Sequence, residues 1–167
     1  MTTKRYVGVI STDREPPVLP MLVGGLAGGV VMGLLLQYST ETMTMVGGLA
    51  GQESVTMGWL VHLLLSLVFA IVFGLVLTYT PMHRYLASTL AVGALGMTYS
   101  IGLWFVGAGV LMPMWLDSMG VMADPTIPAL DGMGLLVHLV YGLVLAGAYM
   151  LAYVRSQPEP SKLTGQA

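Results

Sequence analysis

Cysteine is absent from this chain of 167 residues, and charge is scarce, with Asp, Glu, Lys and Arg together making up 8%. Without cysteine there is no disulfide, no iron–sulfur cluster and no thiolate metal site. Six basic residues, scattered along the chain, form no patch, which argues against nucleic acid as a partner. Also lacking are a nucleophile–base arrangement, a phosphate-binding loop and a carboxylate pair placed for acid–base work, so the sequence points away from an enzyme. A soluble domain carries about a quarter of its residues charged, roughly three times what is found here.

What is present is apolar: 56% of the residues are hydrophobic. They concentrate in four runs, 18–38, 58–79, 86–112 and 133–154. Each is as long as, or longer than, the roughly 20 residues a helix needs to cross the hydrocarbon core. Where no water can satisfy backbone groups, such segments must be helices. The predicted fold is all-α, a four-helix transmembrane bundle running up-down-up-down in the lipid bilayer.

Charge supplies the orientation. The basic residues lie in the N-terminal segment (Lys4, Arg5, Arg14), the second connection (Arg84) and the C-terminal tail (Arg155, Lys162). The opposite side carries acids alone: Glu41 and Glu53 in the first loop, then Asp117, Asp124 and Asp131 in the third. The positive-inside rule therefore predicts a multi-pass protein of the cell membrane with both termini cytoplasmic. Residues 1–17 do not read as a cleaved signal, since no separate apolar stretch follows Lys4-Arg5. Pro16, Pro17 and Pro20 are expected to set the angle of the first helix. The tail 155–167 is expected to be disordered.

One phrase occurs twice. Gly58-Trp59-Leu60-Val61-His62-Leu63 opens the second run and Gly134-Leu135-Leu136-Val137-His138-Leu139 the fourth, 76 residues later. Two-span halves insert the same way up, so the repeat predicts two parallel two-helix units about an axis along the membrane normal. Small residues recur at helical spacing. Gly25, Gly29 and Gly33 form a glycine zipper in the first run, and such faces let helices approach closely in lipid. Gly58, His62, Ser66, Ala70 and Gly74 make a row in the second run, with Gly134, His138, Gly142 and Ala146 as its counterpart. Neighbours four apart share a helix face, so both imidazoles are predicted to point at another helix, one turn inside the outer boundary. The short connection at Pro81 predicts that the second and third spans lie side by side.

Four readings of this pair are open. A histidine near the interface can simply hydrogen-bond a carbonyl, although polar residues at membrane depth are a functional hypothesis by default. The pair could hold haem b as axial ligands, with Ser66 and Gly142 clearing space and Tyr141 nearby. That layout looks like a reduced version of membrane cytochromes b. It lacks their second, deeper histidine pair, and offers only Trp59, Gln52 or loop hydroxyls to meet propionates. Copper(I) is the third reading. Eight of the 14 methionines cluster toward the outer side, including the pairs Met43-Thr44-Met45 and Met112-Pro113-Met114. Thioether and imidazole suit Cu(I), so the candidate ligands are His62, His138, Met43, Met45, Met112 and Met114. Methionine is equally a gap-filler, and these loops could form short helices resting in the interface. The fourth reading needs no cofactor: an accessory subunit whose small-residue faces dock on a larger membrane complex or on a second copy. No acid or base lies mid-membrane to couple ions, which disfavours a transporter. Tyr141 and Tyr99 could instead assist a quinone headgroup, or simply pack. His83 lies in the cytoplasmic turn and is assigned no role.

The stretch Met21-Leu22-Val23-Gly24-Gly25-Leu26-Ala27-Gly28-Gly29-Val30-Val31-Met32 resembles the first helix of small four-span proteins common in haloarchaea. Gly134-x-x-x-His138-Leu139-Val140-Tyr141-Gly142 is similar to their final helix. The resemblance spans most of residues 18–154 and implies the four-helix fold and the histidine position. That family has no established activity, and some members are encoded near terminal oxidases and blue-copper proteins, which implies a respiratory setting.

Overall fold

The computed structural model describes residues 16–157, and among them only helices and turns occur. In chain order these are α1 (Val18–Tyr38), α2 (Met43–Gly48), α3 (Val55–Tyr79), a 3₁₀ turn (Pro81–Ala87), α4 (Thr89–Gly102), a π-helical segment (Leu103–Leu111), α5 (Met112–Ser118) and α6 (Gly132–Ser156). Four of the resulting rods are long and apolar enough to cross a membrane: α1, α3, Thr89–Ser118 taken as one, and α6. The expectations for residues 1–15 and 158–167 lie outside the described residues. Arg155 and Ser156 belong to the last turn of α6, so the helix runs further than the expected boundary.

Helix ends follow local chemistry. Ser54, Ser88 and Asp131 stand before α3, α4 and α6, and each accepts a bond from an N–H that has no partner within its helix. Pro81 follows the end of α3 and cannot continue it. The third span departs from expectation. It begins at Thr89, not near residue 86, and continues past Met112 to Ser118. Pro113 cannot donate to the Gly109 carbonyl four residues before it, and that carbonyl instead accepts Ala129 N–H at 2.8 Å. The wide π turns before it carry the proline within one continuous rod.

Packing is organised around α1 and α6. α1 lies against both α3 and α6, and α6 also lies against α4. One face of α1 is bare: a Cβ added at Gly25 would sit 2.8 Å from the Ala70 Cβ, and one at Gly29 2.7 Å from Ser66 Oγ, both on α3. The adjoining face meets α6, where a Cβ at Gly24 would sit 2.9 Å from the Leu145 carbonyl and one at Gly28 3.0 Å from the Tyr141 ring. α4 and α6 touch backbone to backbone, since a Cβ at Gly96 would strike the Gly142 carbonyl and one at Gly142 the Gly96 carbonyl.

The second and third spans do not share such a seam. α3 and α4 meet through side chains, Tyr99 Oη donating to the Phe69 carbonyl at 2.9 Å and its ring lying 5.4 Å from Phe73. Phe73 also packs edge-on against Tyr149, and these rings fill the core toward the end that carries the 3₁₀ turn. Toward the opposite end, where α2 and α5 lie, the space between α3 and the third span stays open.

Glycine contacts of this kind give a sharp contrast between two neighbouring positions. Gly96→Ala should lower stability by about 1–3 kcal/mol, because backbone must move to admit the methyl group. Gly93, with nothing within 4 Å of its Cβ position, should accept alanine with a change under about 1 kcal/mol. Unfolding of the detergent-solubilised variants measures both, and equal losses would contradict this packing.

Candidate functional site

The open space is a cavity of about 470 Å³ with walls drawn from every long helix. His62 from α3 and His138 from α6 both line it, with Ser66, Tyr141 and Trp115 as the other polar side chains. Residues 76 positions apart in the chain are thus brought to one chamber. The rest of the wall is apolar, including Met32 of α1 and Met112 of α5.

Each imidazole is fixed by one hydrogen bond. His62 is buried, and its Nε2 donates to the Gly29 carbonyl of α1 at 2.9 Å. A Cβ at Gly33 would lie 3.2 Å from His62 Cδ2, so the Cδ2–Nε2 edge faces α1 and the Nδ1–Cε1 edge faces away. His138 is half-buried, and its Nδ1 donates to the Gly134 carbonyl one turn back on its own helix, at 2.8 Å. A carbonyl can only accept, so the proton sits on Nε2 of His62 and on Nδ1 of His138. The remaining nitrogens, Nδ1 of His62 and Nε2 of His138, keep their lone pairs. Among the described residues neither has a protein partner.

The surroundings hold this arrangement. Ser66 Oγ donates to the Gly25 carbonyl at 2.7 Å, and Tyr141 Oη donates to the Ser66 carbonyl at 3.2 Å. Asp131 caps α6 by accepting Gly134 N–H at 2.6 Å, so the same residue whose carbonyl orients His138 is itself pinned. In the sequence Asp131 counts only as an acid of the third loop, but its place just before an apolar run is a helix-start signal. α2 and the turn after it cover the chamber through Val46 and Leu49, and Trp115 Nε1 ties that turn to α5 by donating to the Leu49 carbonyl at 2.9 Å.

Other candidates are placed elsewhere. Gly142 faces α4 and seats it against α6, so it clears no space beside His138. The two Met-x-Met pairs both fall on helices, where residues two apart point to nearly opposite sides. Met43 is buried with its chain against Gly58, whereas Met45 is half-buried beside it. Met112 faces the cavity, but Met114 is 52% exposed. Neither pair can close on one ion. Met32, which reads in the sequence as an ordinary span residue, faces the cavity and was missed.

Haem fits this donor set poorly. His138 presents Nε2, the nitrogen suited to an axial ligand, with its other N–H anchored to a carbonyl as metal-binding imidazoles usually are. His62 has committed Nε2 to Gly29 and offers Nδ1, which lies next to its own Cβ and is too crowded for a flat macrocycle. Trp59, considered for propionates, donates instead to Gln37 Oε1 at 2.6 Å, and Gln52 is exposed on the loop. The residues present do not match a bis-histidine haem site. Among the described residues no group of three or more His, Asp or Glu could hold a metal ion. Comparison with protein-family models, with characterised proteins and with solved structures gives no match.

The two histidines differ in what they hold together. His62 bonds across helices, and interhelical bonds of this type average about 0.6 kcal/mol and reach about 1.7 kcal/mol. His62→Leu should lose stability in that range, while His138→Leu, which removes a bond within one helix, should lose less. Denaturant titration in micelles checks this, and equal losses would show that the pair is structurally equivalent.

Proposed function

We propose that this is a non-enzymatic integral membrane protein that holds a lipophilic small molecule near the outer face, between His62 and His138, as a small subunit accompanying a larger respiratory membrane complex. The observation that carries the reading is the chamber itself. Ligand sites are mostly apolar cavities of about 300–1,000 Å³ with a few convergent polar groups. Here a cavity of about 470 Å³ joins two oriented imidazoles to otherwise apolar walls.

In this reading the bundle runs up-down-up-down in the cell membrane with both termini cytoplasmic. The partition of Arg84 and Arg155 from Glu41, Glu53, Asp117, Asp124 and Asp131 supports that orientation. The internal repeat is supported by the pairing of α1 with α3 and of α4 with α6, each seam bearing one row of small residues. Association with a partner complex or a second copy is supported by Gly93, Gly102 and Gly147, which have open space where a neighbouring helix could seat. The resemblance to small haloarchaeal four-span proteins is consistent with the same respiratory setting.

Copper(I) is the second reading, favoured by a particular juxtaposition. Met32, His62, Met112 and His138 bring one thioether or imidazole donor from each spanning rod to the lining of one cavity. Solvent extraction of the purified protein, with elemental analysis of the same sample, separates the two. The ligand reading predicts roughly one extractable lipophile per chain, lost in Ala108→Phe, which fills the chamber from the π segment. One copper per chain, lost in Met32→Leu, would favour the second reading. A chain that yields neither, and binds no added apolar fluorophore, would refute both.

A further inference from the structure

Five polar side chains line the cavity, and every N–H or O–H they own is already given to a backbone carbonyl. His62 donates to Gly29 at 2.9 Å, Ser66 to Gly25 at 2.7 Å, and Trp115 to Leu49 at 2.9 Å. His138 donates to Gly134 at 2.8 Å and Tyr141 to Ser66 at 3.2 Å. No Lys or Arg is among the lining residues. What the wall can still offer is lone pairs: Nδ1 of His62, Nε2 of His138 and the two hydroxyl oxygens. The chamber has acceptors and no spare donor.

From this we infer that the cavity selects a lipophilic ligand bearing two hydroxyl groups, a hydroquinone-type head, and discriminates against the corresponding quinone. The inference rests on the cavity being a ligand site and specifies what that site recognises. A hydroquinone O–H entering the chamber meets a neutral imidazole nitrogen on α3 and another on α6. A quinone carbonyl brings only further lone pairs, and its lost hydration is left uncompensated. A change of tautomer would not rescue it. To offer an N–H to the ligand, His62 or His138 would have to face the Gly29 or Gly134 carbonyl with a lone pair, replacing a bond by a repulsion. Sites built around one hydrogen-bonding sense discriminate strongly for this reason, because the mismatched ligand leaves buried groups unpaired.

Volume separates this ligand from an ion. A water molecule occupies about 30 Å³ of liquid, and the chamber is more than ten times that. An ion held by two imidazoles would leave most of it empty, whereas a substituted aromatic ring would occupy it, with Met32, Met112 and the aliphatic wall against its faces.

The test uses the full-length protein in detergent and three probes on one short-alkyl skeleton: the hydroquinone, its dimethyl ether and the quinone. Equilibrium dialysis under argon gives the three affinities. An apolar fluorophore in the same chamber reports whether the cavity takes any ligand at all. The hydroquinone should bind roughly tenfold or more tightly than either analogue, since two hydrogen bonds distinguish them. His62→Phe and His138→Phe should each narrow that gap while fluorophore binding persists. Equal affinity for the three probes, or a preference for the quinone, would overturn the inference and leave the ligand-binding function intact. If neither the probes nor the fluorophore bind, the proposed function itself falls. The comparison of probes on the unaltered chain stands even if a histidine variant fails to fold.

Discussion

Along one side of α1 the side chains are reduced to hydrogen atoms, and α3 comes close enough for its polar groups to reach the backbone of α1. Ser66 donates to the Gly25 carbonyl and His62 to the Gly29 carbonyl, one helical turn apart. In lipid no water competes for these donors, and an imidazole or hydroxyl left without a partner would be costly. The bare glycine face therefore does two things at once. It brings the helices into van der Waals contact, and it supplies the carbonyls that make buried histidine and serine tolerable. The tautomer of His62, the direction of its free nitrogen and the position of Tyr141 all follow from that contact.

The cavity arises where the same device is missing. α1 meets α6 through Gly24 and Gly28, and α4 meets α6 through Gly96 and Gly142, each a seam of small residues against a neighbour. No comparable seam joins α3 to the third span, where Tyr99 bridges to Phe69 and Phe73 and holds the two rods apart. Beyond that bridge the π segment lines the wall with Gly107 and Ala108 between Leu103 and Leu111, and α2 and α5 lie at that end. A bundle with three tight seams and one propped open has a chamber by construction. Its two histidines come from α3 and α6, and both line it.

Run length made the four spans legible, because the bilayer sets a length that few soluble helices match. Their ends were less so. The third span was expected to stop at Met112, yet the rod runs on through Pro113 to Ser118, and the Gly109 carbonyl that Pro113 leaves free accepts Ala129 N–H. The repeated phrase located His62 and His138, and a spacing of four brought in Ser66. The same spacing misassigned Gly142, because a helix with neighbours on several sides has more than one small-residue face, and one row cannot say which neighbour it meets. The Met-x-Met pairs looked like chelators only while their backbone was unspecified. Once Met43 and Met112 begin helices, residues two apart diverge. Met32 gave no signal at all, since a methionine in an apolar span looks the same whether it faces lipid or a chamber.

Two carbonyls fix two imidazoles in opposite tautomers, leaving the other nitrogen of each ring with its lone pair. Nitrogen-15 spectra of histidine-labelled protein in lipid, with His83 replaced by glutamine, test this arrangement most directly. One neutral ring should be protonated at Nε2 and lost in His62→Leu, and one should be protonated at Nδ1 and lost in His138→Leu. Two rings in the same tautomer, or either ring exchanging between both, would contradict it.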